Sequence, residues 1–236
     1  MWGCKKEGAS AGVTEAEEIG QNTEEAVSEP ADDQASAEPT EGASDKAADP
    51  PAEPAPVEKS EDVFTVKLET TKGDIIIDVH RDWAPLGAER LHELVSSGYY
   101  NDVAFFRVMK DFMAQTGVSG KPKLNSKWGR KKIRDEPARK HNVRGAVSFA
   151  KAGPNSRTTQ FFINLADNKQ LDPMGFAPIG KVRDMAVVDA LYSGYGDGPP
   201  HGKGPDQQRI KKKGNKYLKK KFPDLDYIIT ATIIEE

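Results

Sequence analysis

A chain of 236 residues with 34 Lys and Arg against 37 Asp and Glu is mildly acidic on average, but the charge is split: residues 1–60 hold 4 basic and 15 acidic side chains (net −11), and residues 61–236 hold 30 and 22 (net +8). Trp2 is the only aromatic residue before Phe64, so a core must come from the later part. A single Cys excludes an internal disulfide framework and a Cys-based zinc site, and no apolar run approaches the ~18 residues of a membrane-spanning helix.

Residues 8–60 are dominated by Ala, Glu, Ser, Asp, Gly and Pro. So few large apolar side chains cannot offset the entropy of ordering, which predicts a disordered acidic leader over 1–60 and one folded domain over 61–236. The Pro-spaced end, Asp49 to Val57, should be stiffer and more extended. Trp2-Gly3-Cys4-Lys5-Lys6 before this polar tether resembles the start of a mature bacterial lipoprotein, in which the Cys carries the lipid. Only Met1-Trp2-Gly3 precede Cys4, without the basic start and apolar segment of a lipoprotein signal. Two readings stay open. In one, translation starts upstream of Met1, Cys4 is lipidated, and the protein is membrane-associated in a bacterial cell envelope. In the other, Cys4 is an ordinary exposed thiol, the leader only solubilises, and the protein is cytoplasmic.

From Phe64 onward, Phe64, Val66 and Leu68 alternate with polar residues, and Ile75 to Val79 follow a Thr-Lys-Gly turn, the pattern of a hairpin with one face buried. Ala84, Ala88, Leu91, Leu94 and Val95 have helical spacing, with Pro85 fitting a helix start and Gly98 a stop. Strands are predicted over 103–109, 112–117, 146–150, 159–165 and 176–182, and a closing strand over 227–234. Asp184 is expected to cap a short helix carrying Met185, Val188 and Leu191. Residues 119–144 are too irregular to assign, and 195–223 reads as a long Gly/Lys loop. Many short strands with two separated helices predict a mainly β, closed antiparallel barrel capped by helices.

The usual catalytic and metal-binding motifs are nearly all missing from the sequence. His80, His92, His141 and His201 show no metal-ligand spacing, no Gly-rich turn leads into an apolar helix, and Ser148 and Ser156 lack the context of a nucleophile. One feature stands out: Arg107 within Ala104-Phe105-Phe106-Arg107-Val108-Met109, followed by Phe112-Met113-Ala114-Gln115 and later Thr159-Gln160-Phe161-Phe162-Ile163-Asn164. A cation among aromatics is costly unless it faces a groove. Alone it could be an Arg reaching out from a strand edge.

Together with Gly73-Asp74-Ile75, Gly98-Tyr99-Tyr100, His141-Asn142-Val143-Arg144-Gly145, Ser148-Phe149-Ala150, Ala152-Gly153-Pro154-Asn155-Ser156, Leu171-Asp172 and Gly180-Lys181-Val182, these segments resemble the cyclophilin family of peptidyl-prolyl cis–trans isomerases over about residues 64–234. The resemblance implies an eight-stranded antiparallel barrel closed by two helices. It implies Arg107 and Gln115 as catalytic residues and Phe112, Met113, Phe162 and Leu171 as the wall of a proline pocket. It also implies Gln160 as a second backbone-holding amide and Ala150 and Ala152 as the groove lining. It implies no metal and no cofactor, proline-containing polypeptide clients and a monomer. Four departures stand against the family pattern: Phe106 where a His is usual, Lys151 where an Asn is usual, Gln170 where the rim is usually aromatic, and no clear counterpart of a rim His near Met174-Gly175-Phe176. They imply weak cyclosporin binding. The Tyr195 to Leu225 insertion resembles a bacterial variant of the family. The alternative function is a non-catalytic proline-peptide binder. Nucleic-acid binding is weighed on the ten basic residues of 121–144 and nine of 203–221, and is not expected, because no recognition motif accompanies them.

Overall fold

The computed structural model describes residues 62–234. The disordered leader expected over 1–60 and Cys4, with its two open readings, lie outside the described residues.

Strands β1 (Val63–Thr70) and β2 (Gly73–His80) form the hairpin read from the alternation. Their inward residues Phe64, Val66, Leu68, Ile75, Ile77 and Val79 are buried, and Gly73 turns the chain with φ +124°, a conformation that an L side chain rarely adopts. Helix α1 (Pro85–Ser96) follows. Its N-cap residue Ala84 has no side-chain acceptor, so the free N–H groups of the first turn are met from a distance: Leu86 and Gly87 donate to the Glu136 carboxylate at 2.7 and 3.0 Å. Ala88, Leu91, Leu94 and Val95 face the core, and the helix packs against the sheet.

Eight further elements complete the pattern read from sequence, most of them a residue or two shorter: β3 (Val103–Ala104), β4 (Arg107–Met109), β5 (Met113–Thr116), β6 (Ala146–Phe149), β7 (Phe161–Asn164), β8 (Pro178–Val182), α3 (Ala186–Asp189) and β9 (Tyr227–Ile234). In chain order the short α2 (Pro122–Trp128) falls between β5 and β6, and α4 (Gln207–Lys213) and α5 (Asn215–Lys221) precede β9. All strands join one curled antiparallel sheet, in the order β3-β9-β1-β2-β8-β6-β7-β5-β4. The strand expected over 103–109 is therefore two: β3 bonds to β9 and β4 to β5, so Phe105-Phe106 alone separates the two edges of the sheet along the chain. That division gives nine strands where eight were expected.

Helices also outnumber the expected two. α2 begins at Pro122, within the stretch left unassigned. The supposed loop 195–223 holds α4 and α5. Asp206 caps α4 by accepting from the N–H of Gln208 and Arg209, and Gly214 (φ +57°) breaks it from α5. A Cβ at Gly214 would run into the Gly120 carbonyl oxygen, so the junction requires glycine. Ile210 and Leu218 are buried in a second small core with Ala104, Phe106, Val118 and Leu225. Phe106 thus anchors the insertion, which gives a physical reason for an aromatic apolar residue where a His is usual.

Candidate active site

Strand register builds the site. Arg107 on β4 lies opposite Gln115 on β5, which lies opposite Phe162 on β7. Directly paired residues share a face of the sheet. Their neighbours Val108, Ala114 and Ile163 form the alternate row and point into the main core. Arg107, Gln115 and Phe162 therefore project together on the opposite face.

A pocket of about 230 Å³ opens there, lined by Arg107, Phe112, Met113, Phe162, Leu171 and Phe176 among others. Met113, Phe162 and Leu171 are a separate buried apolar cluster, and Phe176 meets Phe162 edge-on with centroids 5.7 Å apart. Buried amides fix the pocket loops. Asn168 donates to the Phe112 carbonyl at 2.7 Å. Asn142, fully buried, donates to the Asp172 carboxylate and the Phe176 carbonyl, both at 2.7 Å. Burial pushes the Asp172 carboxyl up, but the hydrogen bonds from Asn142 and the contact with His141 outweigh it and hold the group below its ordinary 3.8.

The polar edge of the pocket is one hydrogen-bond chain. The Gln115 amide donates to Gln160 Oε1 at 2.9 Å, and its own Oε1 accepts from Arg107 Nη1 at 3.2 Å. On the other side, Arg107 Nε and Nη2 donate to the two Asp197 carboxylate oxygens at 2.8 and 2.9 Å. This is the side-on bidentate fork that a guanidinium forms and an ammonium cannot. Burial raises the Asp197 carboxyl, but Arg107's hydrogen bonds and charge prevail and hold it below 3.8. Asp197 belongs to the insertion and faces Arg107 from outside: it lines a neighbouring cavity with Phe106 and Pro199 and does not line the apolar pocket. Of the five guanidinium N–H groups, three are engaged; one on each of Nη1 and Nη2 has no partner among the described residues.

The structure brings together Arg107, Gln115, Phe112, Met113, Phe162, Leu171 and Ala150 at this pocket. Gln160 and Ala152 lie one step away, in an adjoining cavity of about 540 Å³ that shares Gln115, Ala150 and Gln207 with the pocket. Gln170, at the expected rim, is exposed and absent from the pocket lining. Three residues were missed by sequence reading. Phe176 was read as the start of a strand, although an aromatic five residues after Leu171 is a visible signal. Asp197 and Gln207 sit in the insertion read as loop, and no spacing in the sequence points to them.

The site is thus an apolar, ring-sized pocket on a nine-stranded curled antiparallel sheet, with Arg107 in its lining and no metal-binding cluster among the described residues. Residues 65–214 match the family described as cyclophilin type peptidyl-prolyl cis-trans isomerase, and the chain belongs to that family. Peptidyl-prolyl cis-trans isomerase 10 of Caenorhabditis elegans is 46% identical over 126 residues, covering 51% of this chain and 76% of the relative. Human peptidyl-prolyl cis-trans isomerase-like 3 is 44% identical over 133 residues, covering 54% and 81%. Among solved structures, a cyclophilin type isomerase of Cryptosporidium parvum shares the fold with TM-score 0.55 and 23% identity, covering 74% of this chain and 99% of its own. The chain is a peptidyl-prolyl cis–trans isomerase by family. These relatives are eukaryotic and lend no support to the bacterial variant expected from the insertion.

Proposed function

We propose that the groove catalyses rotation about X–Pro bonds of polypeptide clients with Arg107 as the catalytic residue, Gln115 and Gln160 holding the substrate backbone, and Phe112, Met113, Phe162, Leu171 and Phe176 seating the proline ring. The carrying observation is the pair of unengaged Arg107 N–H donors at the mouth of the apolar pocket. The barrier to rotation is about 18–20 kcal/mol because twisting the amide breaks resonance. In the twisted state the prolyl nitrogen becomes pyramidal and gains a lone pair. A donor aimed at it stabilises that state more than either planar ground state. No bond is made or broken, so the residues present are sufficient for the reaction. A fixed ring in the pocket lets the preceding carbonyl swing while proline stays still.

Asp197 enters this reading as a positioning residue. It turns the Nε–Nη2 edge of Arg107 away from the pocket and leaves the remaining donors on the substrate side. The reading also takes the curled sheet as a closed barrel, since its edges β3 and β4 are consecutive in the chain and the Thr116 hydroxyl on β5, the partner of β4, donates to the Ala104 carbonyl on β3 at 2.9 Å. The intact Arg favours catalysis over a merely binding groove. Titrating the full chain with a blocked Ala-Pro peptide tests the seat: NMR signals of the Met113, Leu171 and Phe176 side chains should shift together, with exchange between the cis and trans peptide signals. Shifts confined to other surfaces would overturn the assignment.

A further inference from the structure

The second cavity beside the proline pocket has an unusual electrical character. It is lined by four cationic side chains, Arg130, Lys132, Lys151 and Lys211, and by no carboxylate. Lys151 is satisfied by Asp135 at 3.0 Å. Arg130, Lys132 and Lys211 are exposed and have no ion-pair partner among the described residues. They come from the two basic stretches that are far apart in sequence. α2 packs against α4, and Asn215 N–H bonds the Gly120 carbonyl at 3.1 Å, which seats the insertion beside the 121–132 segment. Two runs of solvated charge in the sequence thus become one cationic wall on the substrate groove.

The wall is continuous with the catalytic pocket. Gln115, Ala150, Lys151 and Gln207 line both cavities. An extended peptide rises about 3.3 Å per residue. With its proline seated between Phe112 and Phe162, a peptide that runs along the shared residues Gln115 and Ala150 would carry side chains a few residues from the proline into the cationic cavity. We infer that this cavity selects clients that carry carboxylate side chains close to the isomerised proline. The inference rests on the reading of the Arg107 pocket as the catalytic groove. Several cations acting on one partly enclosed site add up, whereas a single exposed pair contributes little.

The test uses the full chain and three blocked peptides, Xaa-Xaa-Ala-Pro-Phe-Xaa-Xaa, with Xaa as Glu, Ala or Lys. At about 20 mM salt, kcat/KM for the Glu peptide should exceed that of the Ala peptide about tenfold, chiefly through KM. The Lys peptide should fall below both, and the spread should shrink to about twofold at 0.5 M salt. The combined variant Arg130→Gln, Lys132→Gln, Lys211→Gln, all at exposed positions, should lose the Glu preference. No turnover of the Ala peptide by the unmodified chain would overturn the underlying isomerase-groove reading. Equal turnover of all three peptides would overturn the carboxylate preference alone. A single-stranded oligonucleotide bound below about 1 µM at 0.15 M salt, and lost in the triple variant, would instead assign the wall to nucleic-acid phosphates and overturn the proposal.

Discussion

Replacing Asp197 by Asn keeps the side-chain volume but removes the charge from the fork that holds Arg107. In the structure Arg107 makes three side-chain hydrogen bonds, two of them to Asp197, and its side chain is 25% exposed. The amide keeps one oxygen able to accept from Arg107, but the two-point fork is lost, and the guanidinium is otherwise restrained only by Gln115 at 3.2 Å and by the Phe112 ring, 5.9 Å from its carbon. A free Arg side chain carries about 2 kcal/mol of rotamer entropy. Gln115 and Phe112 retain part of that restraint, so about 1–1.5 kcal/mol of orientation is lost in the variant, or about tenfold in kcat/KM. The assay is cis–trans exchange of an Ala-Pro peptide, with Kd from a parallel titration. The loss should fall on kcat and leave Kd within about twofold. Asp197→Glu, which keeps the charge, should recover part of the rate. Turnover equal to or faster than the unmodified chain would refute the reasoning, showing that the carboxylate competes with substrate for Arg107.

Other outcomes follow from the same geometry. Phe106→Ala empties a fully buried ring site beneath the insertion and should cost about 3 kcal/mol or more in denaturant unfolding, with loss of activity as Asp197 withdraws; an unchanged midpoint would contradict the second core. Asp172 and Asp197 have carboxyls held below 3.8, so their folded values lie under the unfolded one; the stability they contribute is complete above about pH 5 and is lost as pH falls through the folded values. The thermal midpoint should therefore drop below about pH 4, and Asp172→Asn should shallow that drop. Cyclosporin should inhibit weakly, since exposed Gln170 offers no aromatic rim; tight inhibition in the exchange assay would assign the rim to Phe176.

The main core was legible because its signals are local. Period-two alternation in β1 and β2 and the 3.6-residue spacing of α1 name the buried residues directly. The apolar pocket was legible through the resemblance, and strand register explains why it works: Arg107, Gln115 and Phe162 fall in one row across β4, β5 and β7. The insertion was not legible. Ile210, Tyr217 and Leu218 sit among lysines whose charge dominates the pattern, and a seven-residue helix offers too few turns to show a period. The break in 103–109 was hidden because β3 and β4 belong to opposite edges of the sheet, a long-range fact that no local pattern carries. Asp197 was invisible for the same reason: its partner lies 90 residues away, and an Asp in a Gly-rich stretch looks like a turn residue.

Catalysis in this groove rests on the unengaged Arg107 donors lowering the rotational barrier. This is tested most directly by measuring kcat/KM and peptide Kd together for the full chain and for Arg107→Ala. Arg107 is partly exposed and outside the main core, so the variant should fold. In that variant kcat/KM should fall by about 10²–10³, the scale of losing one transition-state donor, with Kd changed only severalfold. Undiminished exchange by a folded Arg107→Ala chain would contradict it.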